Sequence, residues 1–432
     1  MGFQSIGLDF RPSRTISQFA GFVLIASAAC SSGERTVVEP PPPTTASLTL
    51  TIQPDPEDVQ VAQQLGWGNA IPGAEVKVTP TDSNLGTTQS FTSSSSGVVS
   101  IPDAKAGAYL VEVQRLFTTA ETAKLGQSPS SMGFLGRATI NSPGGTVARS
   151  VPVPASKRRS LIFNEISWRA GSPGLGECCF YDNGFLEVYN NADTTIYLDG
   201  ISIGESYNLF YDFPVIPCSA SYPLLVDPLG VWALRHYMFP GNGRDYPLKT
   251  GGLVTIAQDA IDHRELFPSV QGLPDLRGAD FEFIGPADVD NPTVPNMIDR
   301  SYDSADDHGL PHIASGGTFF LALPLSLDSL PRMKDPRNDR RWWRFPASSI
   351  LDFFTTYVQG PDPSGLKFCS PLAAPNFDRE PGAFFGYDDL TEFRFSESRK
   401  RIGTTADGGA ILQHTHSSAA DFTKGLISPG KM

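Results

Sequence analysis

The apolar residues of this chain come in short alternating runs, each closed by glycine, proline or a small polar residue. Ala46–Ile52 reads ASLTLTI, Ala74–Val78 reads AEVKV and Gly107–Val113 reads GAYLVEV. A period of two with such closures describes strands joined by turns. The composition agrees: 41 glycines and 37 prolines stand beside only 18% charged residues, which disfavours long helices. The expected fold class is all-β.

At 432 residues the chain exceeds one ordinary core, so two or three domains are expected. A formal net charge of −13 argues against a nucleic-acid partner, whose phosphates need a basic face. No apolar run approaches the roughly 20 residues that span a bilayer. The N-terminus has instead the parts of an export signal: Arg11 and Arg14, the apolar core FAGFVLIASAA, and small residues before Cys30. Small residues just before a cysteine resemble a bacterial lipobox, which implies cleavage there and lipidation of Cys30. Ser27 departs from that pattern, which usually has leucine, and cleavage after Ala28 is the alternative. The following SSGERTVVEPPPPTT is polar and then proline-rich, as suits an extended stalk. Residues 1–29 are expected to be the signal peptide and 30–45 the lipidated cysteine and stalk.

Cys178, Cys179, Cys218 and Cys369 remain, an even number that suggests two disulfides in an exported chain. A ring between the adjacent Cys178 and Cys179 would be strained. Each is therefore expected to pair with a distant partner, Cys218 or Cys369. A zinc site is the alternative, but paired C-x-x-C arms are missing.

The order IPGAEVKV, then GVVSIPDAKAGAYLVEV, resembles the carboxypeptidase regulatory-like, transthyretin-like modules of bacterial surface proteins. The resemblance covers 46–154 and implies a spacer or stabilising sandwich without catalytic residues. TTAETAKLGQSPSSMG after Phe117 departs from it and reads as an inserted loop. RATI and TVARSVPV supply closing strands, and Lys157-Arg158-Arg159 reads as a solvated linker.

In the second part, LIFNEISW leads to FLEVYNNADTTIYLDGISIG. Asn190-Asn191 and Asp199-Gly200 are turn signals, so a strand, an Asn-rich turn and a second strand are expected to form a hairpin. These blocks resemble the bacterial lamin-tail-like pattern. The likeness extends to a family of bacterial surface lipoproteins through VWALRHYMFPGNGRDYPLKTGGLVTIAQDAIDH, DLRGADFEFIGPADVDNPTVPNM and ILQHTHSSAADF. It implies an address and a fold, and it carries no reaction.

Several residues are candidates for chemistry. Glu165 and Glu187 could form an acid–base pair for glycoside hydrolysis, which needs carboxylates about 5–10 Å apart; the plainer reading binds each to backbone or to Arg and Tyr in the sheet. Asp288, Asp290 and Asn291, with Asp303, Asp306 and Asp307, are the candidate calcium ligands. Asx-turns explain the same residues, and the spacing is not that of an EF-hand. His414 and His416 fall on one side of an expected strand and could hold zinc or copper, with Asp421 or His263 as a third ligand. Trp342 and Trp343, among Arg340, Arg341 and Arg344, are either a stacking platform for carbohydrate or the cover of a sheet edge. No P-loop, dinucleotide fingerprint, nucleophile elbow or HExxH helix occurs.

The expectation is a small Ig/transthyretin-like β-sandwich (46–154) followed by a larger lamin-tail-like β-sandwich with long loops (155–432). The protein is expected to be a lipid-anchored, non-enzymatic module at the outer membrane or cell surface. Its expected partner is an envelope protein or a glycan, in the setting of an outer-membrane uptake receptor. The rival reading is a secreted hydrolase of polysaccharide or peptide that uses Glu165, Glu187 or the Asp288 cluster.

Overall fold

The alternation read from the sequence becomes strands from Ala46 onward. The computed structural model describes residues 46–126, 131–157, 161–167, 183–206, 224, 226–266, 268, 272–284, 289–301, 316–334, 341–358, 373–385, 395–404 and 409–432. The protein is predominantly β, in several sheets.

The first strands are β1 (Ala46–Pro54), β2 (Glu75–Pro80), β3 (Gln89–Thr92), β4 (Val98–Ala104) and β5 (Gly107–Leu116). Then come β6 (Ser131–Ser142), β7 (Val147–Val153) and β8 (Ala155–Lys157). They make two sheets, β4-β1-β7 and β3-β2-β5-β6-β8. Leu48, Leu50 and Ile52 of β1 share a buried core with Val76, Val78, Val111 and Val113 of β2 and β5. Each such side chain withdrawn from water contributes roughly 1.5–3 kcal/mol. The intervening residues of β2 and β5 point the other way, which puts Glu75, Lys77, Glu112 and Gln114 on a polar face.

Helices here are short: α1 (Val59–Gln64) and α2 (Thr119–Leu125). The segment holding α2 was expected to be a loop. A capping box forms the helix instead: the Thr118 hydroxyl accepts from the Glu121 N–H at 3.3 Å, and the Glu121 carboxylate accepts from the Thr118 N–H at 2.7 Å.

The second group opens with β9 (Leu161–Ser167), β10 (Phe185–Asn190), β11 (Ile196–Tyr197), β12 (Ser202–Ser206) and β13 (Gly230–Met238). Next are β14 (Pro247–Leu248), β15 (Leu253–Ala257), β16 (Phe281–Glu282), β17 (Ile298–Asp299) and β18 (Gly316–Ala322). β19 (Arg332–Lys334), β20 (Arg341–Pro346), β21 (Ile350–Val358) and β22 (Gly382–Phe385) follow. The last are β23 (Phe395–Arg399), β24 (Arg401–Thr404), β25 (Ala410–Leu412) and β26 (Phe422–Leu426). Two larger sheets result, β16-β15-β10-β9-β23-β26 and β19-β20-β13-β12-β18-β21-β22, with β17 on β13. Phe163, Ile166, Leu186 and Val188 of the first pack with Ile203, Tyr237, Phe319 and Phe354 of the second.

The expected hairpin is absent. β10 pairs with β9 and β15, β11 with β14, and β12 with β13 and β18. Both turns exist, but each leads to a different pairing. Asn190 Oδ1 accepts from the Ala192 N–H at 3.0 Å, while its Nδ2 donates to Leu248 O at 2.8 Å. Leu198 and Ile201, both 2% exposed, draw the Asp199-Gly200 turn into the core, so the strands on its two sides enter different sheets.

Residues Thr44–Met432 form one compact unit. The two groups of strands meet through Arg137, whose Nε and Nη2 donate to Glu380 Oε2 and Oε1, both at 2.8 Å. Arg379 adds an ion pair to Asp55 at 2.6 Å. Among the described residues no helix is long and apolar enough to cross a membrane.

Candidate functional site

The register of β9 and β10 decides the fate of the two candidate glutamates. Leu186 pairs with Ile166 and Val188 with Phe163, so Asn164 and Glu165 together face Glu187 across a bulge. Alternation sends Leu186 and Val188 into the core between the sheets, and Phe185, Glu187 and Tyr189 to the opposite face. That face is not solvent. Phe185 packs with Ala257 and Leu276, and Tyr189 with Ala410 and Leu412. Glu187 lies under the C-terminal segment: Oε1 accepts from Gly430 N at 2.6 Å and Thr255 Oγ1 at 3.1 Å, and Oε2 from Asn164 Nδ2 at 2.7 Å.

Glu165 is held by the same segment. Its Oε1 accepts from Ser396 Oγ at 2.6 Å and Ser428 N at 2.8 Å, and its Oε2 from Ser428 Oγ at 2.7 Å. The two carboxylates are 1% and 0% exposed. Burial pushes the Glu187 carboxyl up to about 7, and the neighbouring Glu165 charge adds to the rise against the three hydrogen bonds. The partners are hydroxyls, a side-chain amide and the backbone N–H groups of Ser428 and Gly430; backbone was one of the expected partners, and Arg and Tyr are not among those seen. Two adjacent carboxylates with no open face serve as acceptors that tie strands to the C-terminal segment.

His414 and His416 are not on a strand. β25 ends at Leu412, and His416 has φ +56° in a loop leading to a helical turn at Ser418–Asp421. His414 Nε2 lies 3.0 Å from Asp352 Oδ1, which commits that nitrogen to a carboxylate. Asp352 Oδ2 accepts from Arg399 Nη2 at 2.6 Å and Phe163 N at 2.8 Å. Arg399 also donates to Phe163 O at 2.7 Å and Gln413 O at 2.9 Å. Burial raises the Asp352 carboxyl, but the Arg399 charge and His414 outweigh it and hold it at about 2. Asp421 accepts from Thr415 N and Oγ1 at 2.8 and 2.7 Å. His263 instead opens a short helix, His263–Leu266. No group of three or more His, Cys, Asp or Glu is arranged for a metal among the described residues. His414 belongs to a buried cluster with Asp352 and Arg399, and the half-buried His416 meets the His414 ring edge-on at 4.7 Å.

Trp342 and Trp343 are 0% and 5% exposed, so neither offers a stacking face to a ligand. Trp343 meets His236 edge-on at 5.1 Å; Arg344 donates to Asp227 at 2.9 Å. Asn291 is spent on turn geometry: Oδ1 accepts from Thr293 N and Oγ1, and Nδ2 donates to Ala260 O. Asp290 accepts from Asn296 Nδ2 at 2.9 Å. Asp288, Asp303, Asp306, Asp307, Cys30, Cys178, Cys179, Cys218 and Cys369 lie outside the described residues.

An opening that the sequence reading missed lies where the two groups of strands meet. It is a cleft of about 230 Å³. Glu75, Lys77, Glu112, Gln114 and Arg137 line one side, and Lys400, Gln413 and Ala420 the other. Lys77, Glu112 and Arg137 stand in cross-strand register on β2, β5 and β6. The only signal in the sequence was a set of charges at every second position, which an ordinary solvated face would show equally.

No protein-family model matches the chain, and a comparison with curated proteins gives no match. Among solved structures, it is similar to a DUF4876 family protein from Bacteroides thetaiotaomicron, with TM-score 0.49, 19% identity, and 89% of this chain and 96% of that one covered. It is also similar to a DUF3823 family protein from Bacteroides uniformis, with TM-score 0.17, 12% identity and coverage of 69% and 96%. A DUF3823 family protein from Parabacteroides merdae gives TM-score 0.17, 10% identity and coverage of 49% and 97%. None of these likenesses bears on function.

Proposed function

We propose that this protein is a non-enzymatic binding or scaffold module of the bacterial envelope. In this reading it is a lipoprotein anchored through Cys30, with a regulatory-like sandwich and a lamin-tail-like unit, placed beside an outer-membrane uptake receptor. The observation that carries the non-enzymatic part is the enclosure of Glu165 and Glu187 beneath Ser428 and Gly430. A general acid or base has to come within hydrogen-bond reach of its substrate, and these two carboxylates are filled by the protein's own donors. The export signal and the proline-rich stretch support the envelope location.

The full chain, incubated with envelope polysaccharides, peptides and purified outer-membrane proteins, is expected to bind one of them saturably without forming product. Release of reducing ends or peptides, lost in Glu187→Gln with an unchanged melting temperature, would establish the hydrolase instead. Anchoring has its own test: Cys30→Ser should move the protein from the membrane fraction to the soluble one.

A further inference from the structure

In the cleft between the two groups of strands some charges are paired at contact distance and others are not. Lys77 is paired with Glu112 at 3.4 Å, and Arg137 is held by both oxygens of Glu380. Glu75 and Lys400 line the same cleft from opposite sides; neither side chain makes a hydrogen bond or a contact salt bridge among the described residues, and the carboxylates of Glu112, Asp421 and Glu397 act on Lys400 only through their field. The Gln114 amide is likewise uncommitted, and Gln413 donates through Nε2 to Ala420 O at 3.1 Å, which leaves its Oε1. Lys400 is half-buried, and its backbone is fixed on both sides: its N–H donates to Asp421 O at 2.8 Å and its carbonyl accepts from Gln413 N at 2.9 Å. The base of this lysine is therefore built in place before any ligand arrives.

The charges select among ligand types. An anion would meet Glu75 and Glu112; a cation would meet Lys77, Arg137 and Lys400. A neutral ligand would displace water from Glu75 and Lys400 without giving either a charged hydrogen-bond partner, which is unfavourable. A ligand with one charge of each sign satisfies both. Ligand pockets commonly measure about 300–1,000 Å³, so this smaller cleft suits a small molecule and not a polymer segment.

We infer that the cleft binds a small zwitterion, a free amino acid or a dipeptide, with its carboxylate on Lys400, its ammonium on Glu75, and the amides of Gln114 and Gln413 completing the contacts. The inference rests on the reading of the protein as a binding module and specifies a ligand for it.

Calorimetric titration of the full chain with glycine, leucine, glutamate and alanyl-alanine tests it, with ethanolamine, N-acetylglycine and glucose as probes lacking one or both charges. At least one zwitterion should bind saturably, and ethanolamine and N-acetylglycine should bind at least about tenfold more weakly. Lys400→Met and Glu75→Gln should each lower that affinity by at least about tenfold without changing the melting temperature. No saturable binding of any zwitterion, equal binding of glucose, or an affinity indifferent to Lys400→Met would overturn the inference. If an envelope component still binds the full chain while the zwitterions do not, only the ligand assignment falls. Product formation from that component would remove the binding-module reading itself.

Discussion

The backbone N–H of Gly430 donates to Glu187 Oε1 at 2.6 Å, joining residues 243 positions apart in the chain. Two residues earlier, Ser428 donates through both its N–H and its hydroxyl to Glu165. A short C-terminal segment thus closes the outer face of the sheet that contains β9 and β10, and the two glutamates are its attachment points.

Removing that attachment should be costly. Glu187→Ala would leave the donors of Asn164, Thr255 and Gly430 without their acceptor in a buried site, at roughly 1–3 kcal/mol for each one that finds no water. We expect a total loss of about 2–4 kcal/mol, and a smaller loss for Glu187→Gln, which keeps one acceptor oxygen. Urea midpoints of the three proteins check this. An unchanged midpoint for Glu187→Ala would contradict the structural role.

Stability should fall as pH rises through neutrality. Burial pushes Glu187, Asp378 and Glu397 each up to about 7, from ordinary values of 4.5, 3.8 and 4.5. Between those limits the folded chain holds protons that the unfolded chain releases. Their contribution is therefore full below about pH 4 and lost as pH rises through about 7. His236 acts in the opposite sense: burial first, and then the Arg300 charge, hold it down to about 3 from 6.5, so it costs stability as pH falls from 6.5 towards 3. Three groups against one give a net decline from pH 5 to pH 7.5. Thermal melts at the two pH values measure it, and Glu187→Gln should make the decline shallower. A melting temperature that climbs over this range would contradict the assignment.

Arg399 should be intolerant of change. Its guanidinium reaches Asp352, Phe163 O and Gln413 O at once, at 2.6–2.9 Å, and it is 1% exposed as a side chain. Arg399→Met would leave two buried carboxylates, Asp352 and Asp421, without their cation, at a cost of about 3–5 kcal/mol. Arg399→Lys should rescue little of this, because an ammonium cannot reproduce the planar fork. Equilibrium denaturation of both variants separates charge from geometry.

Gly204 is set by a close approach across β12 and β18. Gly204 pairs with Phe320, and a Cβ at position 204 would lie 2.1 Å from Phe320 Cζ. The Phe320 ring is fully buried and packs on Phe345 at 5.0 Å, so it has little room to withdraw. Gly204→Ala should cost roughly 1–3 kcal/mol, as overpacking does, and combining it with Phe320→Leu should recover part of that. If Gly204→Ala melts like the parent, the ring is freer than its contacts indicate.

The legible and illegible parts divide residue by residue. Leu186 and Val188 could be placed in a core from alternation, and Asn190 in a turn from its side-chain chemistry. The capping box at Thr118 and Glu121 is equally readable, although the stretch around it departs from the regulatory-like pattern and reads as a loop. Trp342, Trp343 and His414 looked like surface chemistry because aromatic and imidazole groups beside charges resemble binding sites; burial removed that reading. Lys400 carried no distinguishing signal, since its interest lies in facing β2, β5 and β6, strands far back in the chain.

The sequence by itself determined the class of structure: strands of period two, and turns where short polar side chains and glycine relieve the backbone. These follow from local sterics and local hydrogen bonding, which a few neighbouring residues settle. Only the tertiary structure decided which strands pair, and so whether Glu187 faces water, a substrate or Gly430. Alternation states that two faces differ but not what covers either one. For Glu187 the covering segment comes from the far end of the chain, and no local rule could have named it.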